Sequence, residues 1–238
     1  MAQARAGQKA QGHTPLVHGA AELPSVVIDE YNNETRERGN FVGDKANKQV
    51  FQTQLHDWRK VVRGYTDDPL DKALGDHVSK KKVDSLLDDK NVVANALVMG
   101  AIEDFSRNFA EVLTRFLGFK NWAKTERIVV GGGFRDSRAG EIAIARTMMI
   151  LQGSGLKIDL VPIAHHPDDA GLIGAVHLMP AWMLKGHNAI LAVDIGGTNM
   201  RAGIVEFERE KNLIGDAKVR HSDIWRHKDD QPSRSAAI

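Results

Sequence analysis

Ile190-Leu-Ala-Val-Asp-Ile-Gly-Gly-Thr-Asn-Met-Arg-Ala-Gly-Ile-Val-Glu-Phe207 decides how this chain is read. An apolar run enters Asp194, a Gly196-Gly197-Thr198-Asn199 turn follows, and a second run alternates through Arg201, Gly203, Val205 and Phe207. Alternation with a period of two marks a strand with one buried face, so the stretch predicts a hairpin. Glycines at 196 and 197 let the backbone approach a ligand with no Cβ in the way. Successive amide N–H groups in such a turn form an anion-binding concavity. Thr198 and Asn199 would add hydrogen bonds to phosphate oxygens, and Asp194 would hold a magnesium ion through water. The competing reading is a plain tight turn whose Gly-Gly satisfies hairpin geometry. Strand, Asp, Gly-Gly-Thr-Asn and returning strand together favour the phosphate site.

Upstream of the hairpin, helix and strand signals alternate. Ala96, Met99, Ile102, Phe105, Phe109, Val112, Leu113 and Phe116 recur at steps of three and four, predicting a long amphipathic helix from Val92 that stops at Gly118. Arg127-Ile-Val-Val130 predicts a buried strand running into Gly131-Gly132-Gly133. A helix over 139–151 and a strand over 157–163 follow. A further helix is expected from near Asp168 toward Leu184, with Asp168 or Asp169 as its N-cap. This order is the grammar of an α/β layer. Residues 212–223 predict a third strand after the hairpin, and 226–238 a polar tail.

Nearer the N-terminus, 49–62 and, more weakly, 80–89 predict helices, with Lys80-Lys81-Lys82 as a solvated face. Residues 25–29 predict a short strand and 30–46 a loop. The expected division is a poorly structured arm at 1–48, a helical segment plus nucleotide-binding lobe at 49–185, and at 186–238 the start of a second lobe carrying the hairpin.

Two further glycine-bearing stretches bear on chemistry. Gly131, Gly132 and Gly133 between a strand and a helix give room for a flat or phosphorylated ligand. They do not form Gly-x-Gly-x-x-Gly, since Asp136 fills the last position, and no Gly-Lys-Ser/Thr follows them. Gly171 and Gly174 leave a smooth helix face for close packing or a ligand. The adjacent His165-His166 pair lacks the spacing of metal ligands.

Composition narrows the class. The 238 residues, 42% hydrophobic and 26% charged, describe an ordinary globular chain of one large or two small domains. A net charge of +1 gives no general pull toward nucleic acid. The absence of cysteine excludes disulfides and thiolate zinc. No run approaches the roughly 18–20 apolar residues that cross a bilayer, and the first dozen residues lack the apolar segment of a signal peptide. A cytoplasmic protein is expected.

Together the three glycine-bearing stretches resemble the ROK sugar-kinase and repressor family of the hexokinase–actin ATPase superfamily. Ala192-Val-Asp-Ile-Gly-Gly-Thr-Asn-Met-Arg-Ala-Gly203 is similar to the family's first phosphate motif. Ile128-Val-Val-Gly-Gly-Gly-Phe134 resembles its glycine-rich segment near the adenine nucleotide, and Asp168-Asp-Ala-Gly-Leu-Ile-Gly-Ala175 its near-C-terminal helix. The resemblance covers about 92–223. It implies an actin-like (ribonuclease H-like) ATPase fold, ATP and Mg2+ as cofactors without zinc, and phosphoryl transfer to a hexose hydroxyl. It also implies nucleotide contacts from Asp194, Gly196, Gly197, Thr198, Asn199, Arg201, Gly131, Gly132, Gly133, Asp169 and Gly171, with magnesium at Asp194.

Two departures shape that expectation. Family members open with the hairpin and close with the Asp-Asp-Ala-Gly-Leu-Ile-Gly helix, whereas here the helix comes first, the order of a circular permutation. No Asn-Asp-Ala-Asn-like segment with the family's catalytic aspartate is found, nor a second glycine-rich phosphate loop, nor a Glu-x-Gly-His sugar motif. The catalytic residue is therefore unassigned, and the rest of the first lobe is expected beyond residue 238. The expected partners are a nucleotide and a hexose, with no membrane or nucleic acid, and a homo-oligomer is compatible. The alternative is a non-catalytic transcriptional regulator or sugar-binding protein, and the regulator's best basic cluster would be Trp58-Arg-Lys-Val-Val-Arg63.

Overall fold

The computed structural model describes residues 16–17, 27–28, 35–70, 77–88, 90–179, 183–196, 199–210 and 213–226, a mixed α/β chain with small sheets. Its contacts divide it into two units, one over Glu34–Pro167 and one that begins at Asp168. The second also takes in the short antiparallel strands β1 (Leu16–Val17) and β2 (Val27–Ile28). The break falls ahead of the Asp168 helix, where the sequence reading set it at 185/186.

The first unit starts with β3 (Arg36–Glu37) and β4 (Asn40–Phe41), a hairpin in the stretch expected to be loop. Arg38 and Gly39 both take positive φ at its tip, and the Arg36 guanidinium lies 3.8 Å from the centre of the Phe41 ring. Three helices follow, each started by a polar side chain that accepts a bond from an otherwise unpaired backbone N–H. Asn47 caps α1 (Lys48–Arg63), Ser79 caps α2 (Lys80–Leu87) and Asn91 caps α3 (Val92–Leu117). Phe51, Leu55 and Val62 of α1, Val83 and Leu86 of α2, and Leu97, Val98, Ile102 and Phe105 of α3 form one core.

The buried stripe of α3 is not quite the expected one. Ala94, Leu97, Val98 and Ala101 are buried, whereas Ala96 and Met99 are exposed. The helix is packed by α1 along one side and by α4 (Arg138–Gly153) along another, so its apolar arc is wide and a single three-four stripe misplaces it. Between α3 and α4 runs β5 (Arg127–Val130), which pairs in parallel with β6 (Asp159–Pro162) after the α4 crossover. β5 is not the buried strand expected: Arg127 and Val129 are exposed, because helix packing covers only one face of this two-stranded sheet.

The second unit opens with α5 (Pro167–Leu178). Proline suits the first helical position, where its missing N–H costs nothing. The helix thus starts ahead of both acids, and Asp168 and Asp169 lie in its first turn rather than at the N-cap. It ends at Leu178 rather than running to Leu184, in keeping with Pro180, which cannot continue a helix. β7 (Ala189–Ile195), β8 (Met200–Glu210) and β9 (Leu213–Trp225) form an antiparallel meander in chain order. Gly203, Val205 and Phe207 turn inward as the alternation predicts. Val205 and Phe207 join Ala192 and Ala217 against Leu172, Ile173 and Val176 of α5. No helix among the described residues is long and apolar enough to cross a membrane.

A charged clasp ties α3 to α4. Glu103 accepts from Arg146 Nε at 2.6 Å and Nη2 at 3.1 Å, and from Arg107 Nε at 2.9 Å. The Arg146 bonds, opposed by burial and aided by Arg107, hold the Glu103 carboxyl at about 2. The folded value lies below that of an unfolded glutamate, near ~4.3. The clasp therefore stabilises the fold above that pH and loses its contribution as pH falls through the folded value. Replacing Glu103 with Gln is expected to lower stability at neutral pH by about 0.5–1 kcal/mol, the range for a largely solvated pair. In urea unfolding across pH, the gap to the unmodified protein should close between about pH 4.5 and about pH 2.

Candidate functional site

The hairpin and α5 meet through three charged groups. Arg201, on the inward face of β8 and largely buried, donates from Nε (3.0 Å) and Nη2 (2.7 Å) to Oδ1 of Asp168 in the first turn of α5. Its Nη1 lies 3.3 Å from Oδ2 of Asp194, across the strand pair on β7. A planar guanidinium with donors on two edges can serve two carboxylates at once. Two close-packed glycines make the arrangement possible. A Cβ on Gly171 would sit 2.6 Å from Oδ2 of Asp194, and one on Gly203 would sit 2.8 Å from both Leu172 Cδ1 and the His221 carbonyl. The helix can therefore lie close enough to the sheet for its carboxylate to reach Arg201.

Three expected site residues of the second unit, Asp194, Arg201 and Gly171, are thus gathered around one cluster. Arg201, expected at the nucleotide, is engaged by two aspartates of its own chain. Asp168, read from sequence as a cap, is the stronger of its two partners. Asp169 is half-buried in the same helical turn. The Gly196 N–H donates to the Asn199 carbonyl at 2.9 Å, closing the turn. That amide therefore serves hairpin geometry, the competing reading at this position. Gly197 and Thr198 lie outside the described residues.

Since Oδ2 of Asp194 faces Arg201, a magnesium ion held through water would use Oδ1. A single carboxylate with phosphate oxygens and water suits that ion. Among the described residues, no group of three or more His, Cys, Asp or Glu side chains is gathered as a metal site.

In the first unit, Gly131, Gly132 and Gly133 follow β5 as an exposed turn, and Gly132 takes φ +85°, which favours glycine. A Cβ on Gly131 or Gly132 would meet nothing within 4 Å, so the surface there is open. The expected solvated lysine face is partly engaged at this turn, for Lys80 Nζ donates to the Gly133 carbonyl at 2.8 Å. The N-terminus of α4 beyond the turn already has its acceptors. Ser137 Oγ takes the Gly140 N–H at 3.1 Å, and the Asp84 carboxylate takes those of Arg138 and Ala139 at 3.1 and 3.0 Å. A protein carboxylate thus occupies the position a phosphate would use at that helix end. What remains for a ligand is the glycine surface itself. Asp84 was not found from sequence, and no periodic signal could have pointed to it.

In the basic cluster of the regulator alternative, Arg59 and Arg63 share one acid, while Lys60 is exposed. Arg59 is buried and donates to Asp68 Oδ2 at 3.0 Å, and Arg63 binds the same oxygen at 2.6 Å. Trp58 covers Gly100 and donates to Asp104 at 2.8 Å.

Compared with protein-family models, curated proteins and solved structures, the chain finds no match in any of the three.

Arg201→Gln removes the shared cation and leaves two carboxylates facing each other. It should lower unfolding stability by about 0.5–1 kcal/mol, since both carboxylates remain more than a third exposed. Adding Asp168→Asn should recover part of that loss, and a double-mutant cycle in urea reads the coupling.

Proposed function

We propose that the chain is the nucleotide-handling portion of an ATP-dependent sugar kinase of ROK type, with an actin-like fold. The observation that carries this reading is the Asp168–Arg201–Asp194 cluster. It joins the end of β7 and the start of α5, both of which belong to stretches that resemble the family's motifs. A phosphate turn must be held still to be useful, because amide dipoles stabilise developing charge only when they need not reorganise. An arginine anchored on two sides holds together the ends of β7 and β8 next to Gly196 and Asn199.

On this reading Asp194 would hold a magnesium ion through water, and Asn199 would add a hydrogen bond to phosphate oxygens. Taken by itself, the first unit carries the open Gly131–Gly133 turn, a surface suited to a flat nucleoside. Magnesium supplies charge compensation during phosphoryl transfer from ATP to a hexose hydroxyl. No general base for that hydroxyl is assigned.

Isothermal titration of the full chain with ATP tests the reading. Binding should require magnesium, and Asp194→Asn should weaken it about tenfold, or 1.4 kcal/mol. Absence of heat with ATP and ADP at any magnesium concentration would remove the nucleotide assignment. A panel of hexoses in a coupled ADP-release assay then tests the sugar-kinase part separately.

A further inference from the structure

Within the first unit, one face of α2 clasps the segment that carries the glycine turn into α4. Lys80 opens α2 and Asp84 lies one turn on, so the two side chains share a helix face. Lys80 Nζ donates to the Gly133 carbonyl at 2.8 Å. Asp84 accepts the Arg138 and Ala139 N–H groups at 3.1 and 3.0 Å, one on each carboxylate oxygen. A single helix face thus holds residues 133–139 at both ends.

That face is itself fixed to the core. Val83 and Leu86 of α2 are buried. Just ahead of the Ser79 cap, the Val78 N–H donates to Gln52 Oε1 of α1 at 2.8 Å, and Gln52 Nε2 donates to the Val78 carbonyl at 3.0 Å. The turn is anchored from the inner side as well. The Phe134 ring packs on Phe51 and Phe105, with centroids 4.9 and 5.0 Å away, and the Phe134 carbonyl accepts from Ser137 Oγ at 2.7 Å. Upstream, the Val130 carbonyl accepts the Ile163 N–H at 2.9 Å. The chain is therefore held at Val130 and again from Gly133 onward, which leaves Gly131 and Gly132 as the open span.

Glycine loses more conformational freedom on ordering than any other residue. A ligand that had to order three of them in a row would forfeit affinity, and a turn ordered beforehand removes that cost. The Lys80 bond contributes directly, because a fixed Gly133 carbonyl fixes the whole planar peptide unit that follows it. Asp84 contributes by settling where α4 begins.

We propose that Lys80 and Asp84 are positioning residues, which hold the Gly131–Gly133 turn in the shape that receives a nucleoside. The role rests on the nucleotide reading above. It concerns the base and sugar rather than the phosphates, since Asp84 and Ser137 already take the N–H groups at the start of α4.

Titration calorimetry of the full chain with adenosine, ADP and ATP, magnesium present, tests the role. Lys80→Met keeps the aliphatic stem and deletes the donor. Lys80 is exposed, so the urea midpoint should stay unchanged. Affinity for all three ligands should fall by one common factor of about five, the worth of one net hydrogen bond. Lys80→Arg keeps a donor and should restore most of the loss. Asp84→Asn keeps one acceptor of two and should weaken all three ligands by a smaller common factor. In the ligand-free protein it should also speed amide hydrogen exchange at Arg138 or Ala139. If the unmodified protein binds ATP and Lys80→Met binds it equally well, the positioning role is overturned and the nucleotide reading stands. A loss confined to ADP and ATP also overturns the role, for Lys80 would then be a phosphate contact. So does a Lys80→Arg protein as weak as Lys80→Met. No binding of any of the three by the unmodified protein removes the nucleotide reading and this role with it.

Discussion

One arginine between two aspartates is the constraint on which the second unit depends. Asp168 belongs to a helix and Asp194 to a strand, and the guanidinium of Arg201 fixes the distance between them. Lysine could not replace it, because a single ammonium lacks donors on two separated edges. The constraint propagates outward. With the start of α5 fixed, Leu172 must cross over Gly203, and with Asp194 fixed, Gly171 must lack a Cβ. The small residues in this helix and strand follow from the arginine as much as from any ligand.

The polar interior of the first unit shows the same economy of charge. Asp68 is buried, which alone would raise its pKa. The Leu70 N–H and the guanidinium groups of Arg63 and Arg59 outweigh that and hold its carboxyl below the usual range. A run that looks uniformly basic in sequence is therefore split, with Arg59 buried on Asp68 and Lys60 left exposed. Arg59 in particular is among the most deeply buried large side chains described.

Local features were legible in the sequence to the extent that they are periodic. The α1 to α5 helices, the β5–β6 pair and the three-stranded meander all follow from spacing, caps and breakers. The ends of α5 depart from expectation for a local reason, Pro167 and Pro180, whereas burial departs where a tertiary neighbour intervenes. The α3 stripe broadens because α1 and α4 share the helix, and Val129 stays exposed because one face of a two-stranded sheet lacks cover. The candidate site was legible as a set of residues, not as a set of roles. Asp194 and Arg201 stand out in the hairpin, but nothing in their spacing reveals that Asp168 completes the cluster. Asp84 at the start of α4 is harder still, since a carboxylate more than fifty positions upstream carries no periodic trace. That the Gly196 amide closes the turn is a matter of hairpin geometry, which the residue type alone leaves undetermined.

The order of strands in the two sheets carries a kinetic consequence. In the meander every strand pairs with its neighbour in sequence, so each step closes only a short loop. Such hairpins form on the order of 1–10 μs. β5 and β6 instead run parallel and cannot meet until the intervening helix has crossed back between them. The meander is thus the quicker of the two sheets to assemble.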